Sequence, residues 1–119
     1  MDVKALAEDF ATMCKAGHSG EAGEKYWADD VVSVEAMDGP MHEVRGKEAV
    51  RGKGQWWTSN HEIHSFTAHG PFTNGDQFAM RFDSDVTFKP DDSRRAMSEV
   101  GLYTVRDGKI VEERFFYGT

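Results

Sequence analysis

Cysteine is almost missing from this chain of 119 residues: the single one, Cys14, excludes an internal disulfide framework and points to a reducing compartment. Proline is sparse as well, with three residues, so few positions force a break in regular structure. No apolar run approaches the roughly 18 residues that a membrane-spanning helix needs. Met1 leads into a polar, amphipathic segment and not into an apolar leader. A cytoplasmic protein is therefore expected. Basic residues are outnumbered, 14 Lys and Arg against 21 Asp and Glu, for a formal net charge of −7. That balance repels phosphate backbones and anionic lipid, so neither nucleic acid nor a membrane is expected as a partner. Repeats, low-complexity tracts and linkers are lacking, and residues 1–119 suit one domain able to bury a core without metal or cross-links.

What is present is organised around the C-terminal stretch. Two runs of β-forming residues, 97–105 and 109–117, flank Asp107-Gly108, a strong hairpin signal. Val100, Leu102 and Thr104 alternate with Glu99, Gly101, Tyr103 and Val105, so other elements must cover one face. Upstream, Val3, Leu6, Ala7, Phe10, Met13 and Cys14 follow the spacing of one helix face over residues 2–16, with Asp2 as N-cap and Gly17 as stop. Ser19 can cap a short second helix over 21–27, anchored by burial of Tyr26 and Trp27. A strand over 31–37 ends at Asp38-Gly39-Pro40, and a short extended piece over 41–45 follows. Residues 47–59 predict a third helix, held by its tryptophans against the cost of Gly52 and Gly54. Strands over 62–72 and 77–89 meet at the turn 73–76, and a polar loop over 90–95 leads into the hairpin.

Helices gathered early and antiparallel strands gathered late make an α+β layer. Within it, Tyr26-Trp27-Ala28-Asp29-Asp30-Val31-Val32, Arg45-Gly46-Lys47-Glu48-Ala49-Val50, and Asp107-Gly108-Lys109-Ile110 followed by Phe115-Phe116-Tyr117 stand in an order and spacing that resembles SnoaL-like proteins. These belong to the nuclear-transport-factor-two-like superfamily, together with ketosteroid isomerase and polyketide cyclases. The resemblance implies a cystatin-like cone: N-terminal helices packed on a strongly curved, mainly antiparallel sheet that encloses a pocket. It does not fix an activity, because one fold hosts many.

Glu35 is the first candidate for chemistry. It stands among Val32, Val34 and Met37, where an ionised carboxylate is costly unless paired or solvated, and such placement favours proton transfer. The resemblance implies a general base at this position; the alternative is a solvent-facing or salt-bridged strand residue. Glu99 and Glu113, one on each hairpin arm, share strand parity with Tyr103, Phe115 and Tyr117. If that parity faces inward, two carboxylates lie among aromatic rings and can bind a cation or share a proton. The other parity places them on the outer face as partners for Arg114 or Arg106. The residues expected to line a pocket are Phe10, Trp27, Trp57 and Phe82, with Glu99, Glu113, Phe115 and Tyr117 from the hairpin. Trp56 and Trp57 are read chiefly as roofing the core.

The oxyanion donors of a ketosteroid isomerase, a tyrosine on the first helix and an aspartate on a late strand, have no counterparts here: those regions offer Phe10, Ala11 and Gly101. His61, His64 and His69 are available to a cyclase-type site, but no pair has the spacing of a zinc motif, so no metal and no cofactor are expected. Cys14 reads as a buried structural thiol. The expected function is a pocket protein for a small hydrophobic molecule, with carboxylate acid-base chemistry of the isomerase, cyclase or dehydratase kind. The alternative is a non-catalytic binding or dimerisation module. A homodimer through the outer sheet face is expected, because that face carries uncovered Val, Leu, Thr and Phe.

Overall fold

A computed structural model describes residues 2–118. Helix α1 spans Val3–Lys15, and the Asp2 carboxylate caps it by accepting the Ala5 N–H at 2.7 Å. Its face of Leu6, Ala7, Phe10, Ala11 and Cys14 is buried, as the helical spacing requires. Helix α2 spans Ser19–Tyr26 and ends one residue earlier than its apolar content suggests. Trp27 instead opens strand β1, Trp27–Val34, so Ala28-Asp29-Asp30 is extended chain. The strand predicted over 31–37 therefore starts and stops too late. Strand β2 is short, Glu43–Arg45, and helix α3 spans Lys47–Asn60.

Three long strands follow, β3 (His61–Asn74), β4 (Gln77–Phe88) and β5 (Ser93–Arg106), before β6 (Lys109–Phe116). β5 begins inside the segment expected to be a polar loop, because Ser93, Arg94 and Arg95 pair across to Phe88, Thr87 and Val86. The hairpin turn forms as its sequence dictates: Asp107 and Gly108 take φ of 53° and 73°, the left-handed pair that matches strand twist.

The sheet runs β2-β1-β6-β5-β4-β3. All neighbours are antiparallel except β1 and β6, which run parallel with Val32 opposite Glu112 and Val34 opposite Arg114. The helices cover one sheet face, and Phe10 of α1 packs on Phe78 and Tyr103 at 5.5 and 4.8 Å between ring centres. Register settles the parity of the hairpin. Glu99 lies opposite Phe82, Gly101 opposite Met80 and Phe115, and Tyr103 opposite Phe78 and Glu113, so all of these share the helix-covered face. Val100, Leu102, Arg114 and Phe116 occupy the other.

Candidate functional site

The inner face gathers three glutamates from three places. Glu35 sits one residue beyond β1, where its N–H bonds to the His42 carbonyl at 2.7 Å and closes the intervening loop. Its carboxylate is held from two sides: the Tyr117 hydroxyl donates to Oε2 at 2.9 Å, and Lys53 Nζ pairs with Oε1 at 2.8 Å. Glu113 is buried on β6, and accepts from Trp27 Nε1 at 2.8 Å and from the Ser33 hydroxyl at 2.7 Å. Lys53 also donates to Ser33 Oγ at 2.6 Å, so Glu35 and Glu113 are joined through one ammonium and one hydroxyl. Glu99, from β5, has neither a hydrogen bond nor an ion pair among the described residues.

Lys53 is the residue that sequence reasoning missed. A lysine between Gly52 and Gly54 reads as solvated surface, but α3 places Val50, Lys53 and Trp57 on one face, at helical spacing. Buried Val50 fixes that face inward, and the Lys53 side chain is only 12% exposed, with its ammonium 5.4 Å from the centre of the Phe115 ring. The i, i+3, i+7 pattern was the available signal.

Burial acts on both Glu99 and Glu113. Burial raises Glu99 to about 7, and neighbouring Glu35 adds to the rise against the opposing charge of Lys53. Burial also raises Glu113, while the Ser33 and Trp27 hydrogen bonds pull it back. The Tyr117 hydroxyl rises to about 12, first through burial and then through its bond to Glu35. Burial lifts Tyr103 well above the ordinary phenol range. Its ring lies over Gly101: a Cβ there would stand 2.9 Å from the tyrosine oxygen and 3.1 Å from Phe115. Gly101 therefore leaves the space that the Tyr103 and Phe115 rings occupy.

Of the residues expected to line a pocket, Trp27, Glu99, Glu113, Phe115 and Tyr117 come together around Glu35 and Lys53. Phe82 joins them beside Glu99 across the sheet and stacks on Phe66 at 5.7 Å. Phe10 lies in the core beneath Tyr103. Trp57 stacks on His61 at 4.2 Å, so its ring is turned to the histidine. His61 Nδ1 bonds to the Trp57 carbonyl, His64 to Thr87 and His69 to Asp83, so each histidine has a structural partner away from the glutamates. Among the described residues no group of three His, Cys, Asp or Glu is placed to hold a metal. Cys14 is buried, and desolvation raises its thiol to about 11. Two open grooves of about 390 and 550 Å³ lie elsewhere, the first lined by Asp83 and Asp85 and the second by Asp29 and Arg45. In the first groove the Ser98 hydroxyl and the Arg94 guanidinium hold Asp83 and Asp85 below the ordinary carboxylate range, which keeps them ionised and unsuited to proton transfer near neutrality.

Helices on one face of this curved six-stranded sheet define a cystatin-like α+β fold, shared with a protein of unknown function from Xanthomonas campestris (TM-score 0.78, 19% identity, 100% of this chain and 92% of that one). The chain belongs to the SnoaL-like domain family, whose profile matches residues 1–117. A SnoaL-like polyketide cyclase candidate from Mesorhizobium loti is 55% identical, with TM-score 0.96 over 98% of this chain and 100% of that one. A further SnoaL-like cyclase candidate, from Jannaschia, aligns at TM-score 0.75 and 11% identity over 98% of this chain and 88% of that one. No curated protein matches the sequence. Among the described residues no helix is long and apolar enough to cross a membrane.

Proposed function

We propose that the protein is an acid-base enzyme of the isomerase, cyclase or dehydratase kind, acting on a small, largely hydrophobic molecule, with Glu35 moving the proton. The observation that carries this reading is the setting of Glu35. Its carboxylate is 24% exposed, paired with Lys53 on one side, whose ammonium lies 5.4 Å from the centre of the Phe115 ring, and bonded by Tyr117 on the other. A carboxylate so placed is fixed in direction, still reachable, and faces a second carboxyl, Glu99, that titrates near neutrality. The family match supports the same class of chemistry.

The test is proton exchange at carbon. In D2O the protein is expected to speed deuterium incorporation next to the carbonyl of 2-tetralone or acetylacetone, read by NMR, and Glu35→Gln is expected to lower the rate at least about 100-fold. An unchanged rate in Glu35→Gln removes the role.

The association reading rests on a separate observation and is compatible with the first. On the outer face Phe72, Phe116 and Val100 are 65%, 50% and 39% exposed, in adjoining rows with Leu102 and Ala79. A second copy of the chain covering that face makes a homodimer and leaves the carboxylate cluster on the inner side free.

A further inference from the structure

The polar contacts that hold Glu35 continue inward, to residues that the proton transfer does not itself use. Glu35 Oε1 pairs with Lys53 Nζ at 2.8 Å, Lys53 donates to Ser33 Oγ at 2.6 Å, and Ser33 donates to Glu113 Oε2 at 2.7 Å. Trp27 Nε1 closes the far end by donating to Glu113 Oε1 at 2.8 Å. Backbone pairing builds this chain of contacts. Ser33 and Glu113 face each other across the parallel ladder of β1 and β6, and Glu35 follows Ser33 by two residues, at the same strand parity. The Lys53 ammonium straddles those two positions.

The direction of each bond is set by what its groups can do. Lys53 and Trp27 only donate. Ser33 takes the lysine N–H on its oxygen and gives its own proton to Glu113, so both Glu113 oxygens accept and the group is the ionised carboxylate. One ammonium therefore serves two carboxylates, one directly and one through a hydroxyl. Ser33 is fully buried and Glu113 is 6% exposed. An ionised group at that depth is a poor source of stability, because apolar residues of similar size fill such space at less cost. Its service lies in what it does to the ammonium.

We propose that Ser33 and Glu113 are positioning residues for the proton transfer: they hold the Lys53 ammonium from behind and limit its grip on Glu35, which keeps that carboxylate basic enough to take a proton from carbon. The inference rests on the proton-transfer reading of Glu35 and extends it to two residues that touch no substrate. Without them the ammonium belongs to Glu35 alone, and a carboxylate so tightly paired is a weaker base.

The charged or titratable groups that face Glu35 are Lys53 from α3, Tyr117 beyond β6, Glu113 on β6, and Glu99 and Tyr103 on β5. The loop after β1 brings His42, whose carbonyl accepts the Glu35 N–H and whose ring bonds to the Met37 carbonyl. A neutral side chain in place of Glu113 removes a negative charge and returns the ammonium to Glu35. Both changes favour ionised Glu35, so its titration moves to lower pH. Loss of the Lys53 charge moves it to higher pH.

Carbon-13 NMR of the labelled carboxyls in the whole chain tests this. In the parent, Glu113 is expected to show the chemical shift of an ionised carboxyl at about pH 8. Glu113→Gln, checked for folding by circular dichroism, is expected to lower the midpoint of the Glu35 titration by at least about half a pH unit, and Lys53→Met to raise it by about one or more. Glu113→Asp keeps the charge and should stay closer to the parent. In a Ser33→Ala background, Glu113→Gln is expected to displace the midpoint less than about half as far, because the hydroxyl that couples the two groups is gone. Carbon exchange by Glu113→Gln should fall at least about threefold at its plateau, with the acid limb of its pH profile moved the same way. A Glu35 midpoint unmoved in folded Glu113→Gln, a parent Glu113 protonated at about pH 8, or equal displacement with and without Ser33 would each overturn the proposal. The titrations need no turnover. Exchange that depends on Glu35 with an unmoved titration sinks the positioning role alone, and a displaced titration in a parent that exchanges no carbon protons sinks the enzyme alone.

Discussion

Glu99 makes the stability of this fold depend on pH. Its carboxyl titrates at about 7 when folded, against an ordinary value of 4.5 when exposed. Between those values the folded chain binds more protons than the unfolded one, so stability from this group is complete below the ordinary value and is lost as pH rises through about 7. The shift amounts to roughly 3 kcal/mol. Glu99→Gln cannot ionise, and urea unfolding is expected to find it more stable than the parent at about pH 8 by up to that amount, with the gap closing near pH 5. A gap that does not change with pH would refute the assignment. The sequence singled out Glu35, Glu99, Glu113 and Tyr117 as candidates, because carboxylates in apolar strands announce themselves by their cost, but it left open which face Glu99 and Glu113 take. It did not show their shared counter-charge. Lys53 brings its ammonium from a helix distant in the chain, and against the Gly-Lys-Gly run only its i, i+3, i+7 spacing with Val50 and Trp57 signals that this turn of helix faces inward. Trp56 and Trp57 were read as roofing the core; Trp56 is 45% exposed, and Trp57, on the Lys53 face, stacks on His61.

At the scale of the element, β5 shows how one small residue positions two large ones. Gly101 lies between Glu99 and Tyr103 on the inner face, and a methyl group there would press on both Tyr103 and Phe115. Gly101→Ala is expected to cost about 1–3 kcal/mol of stability in denaturant titrations, the range for overpacking a filled interior. It should also displace the tyrosine hydroxyl from its place over residue 101, visible as a changed Tyr103 ring environment by NMR. An unperturbed variant would mean that the strand has more room than its neighbours allow. The hairpin turn was readable, because Asp-Gly between alternating runs is a strong turn signal, but β5 begins at Ser93, inside the segment read as a loop. β1 was not readable at its start. Its first residues, Trp27-Ala28-Asp29-Asp30, carry two charges that look like a terminus, yet Asp29 and Asp30 are exposed at the start of a strand whose buried half comes later. Strand parity was undecidable from alternation alone, since both faces of β5 hold apolar residues and only the position of the helices distinguishes them.

For the whole molecule, the outer sheet face sets the expected assembly. Light scattering at micromolar concentration is expected to give twice the monomer mass, and Phe116→Glu combined with Val100→Glu to give the monomer with its fold retained. A monomeric parent chain would leave the exposed Phe72, Phe116 and Val100 without that partner. The cone architecture was legible from the order of landmarks, but its closure was not, because the parallel union of β1 with β6 joins strands from opposite ends of the chain. That union has a consequence in time. Trp27 bonds to Glu113 across 80-odd residues of sequence, and β6 fills the middle of the sheet, between β1 and β5. Until the last strand is made, β2-β1 and β5-β4-β3 are two separate pieces with open edges, each exposing a ladder of unpaired backbone groups. A nascent chain must therefore hold its first strands unsatisfied through most of its synthesis. The step that completes it is late and long-range, and so slow relative to hairpin closure. Protection from aggregation during that interval, by charge on the early strands such as Asp29, Asp30, Glu43 and Arg45, is part of what this sequence encodes.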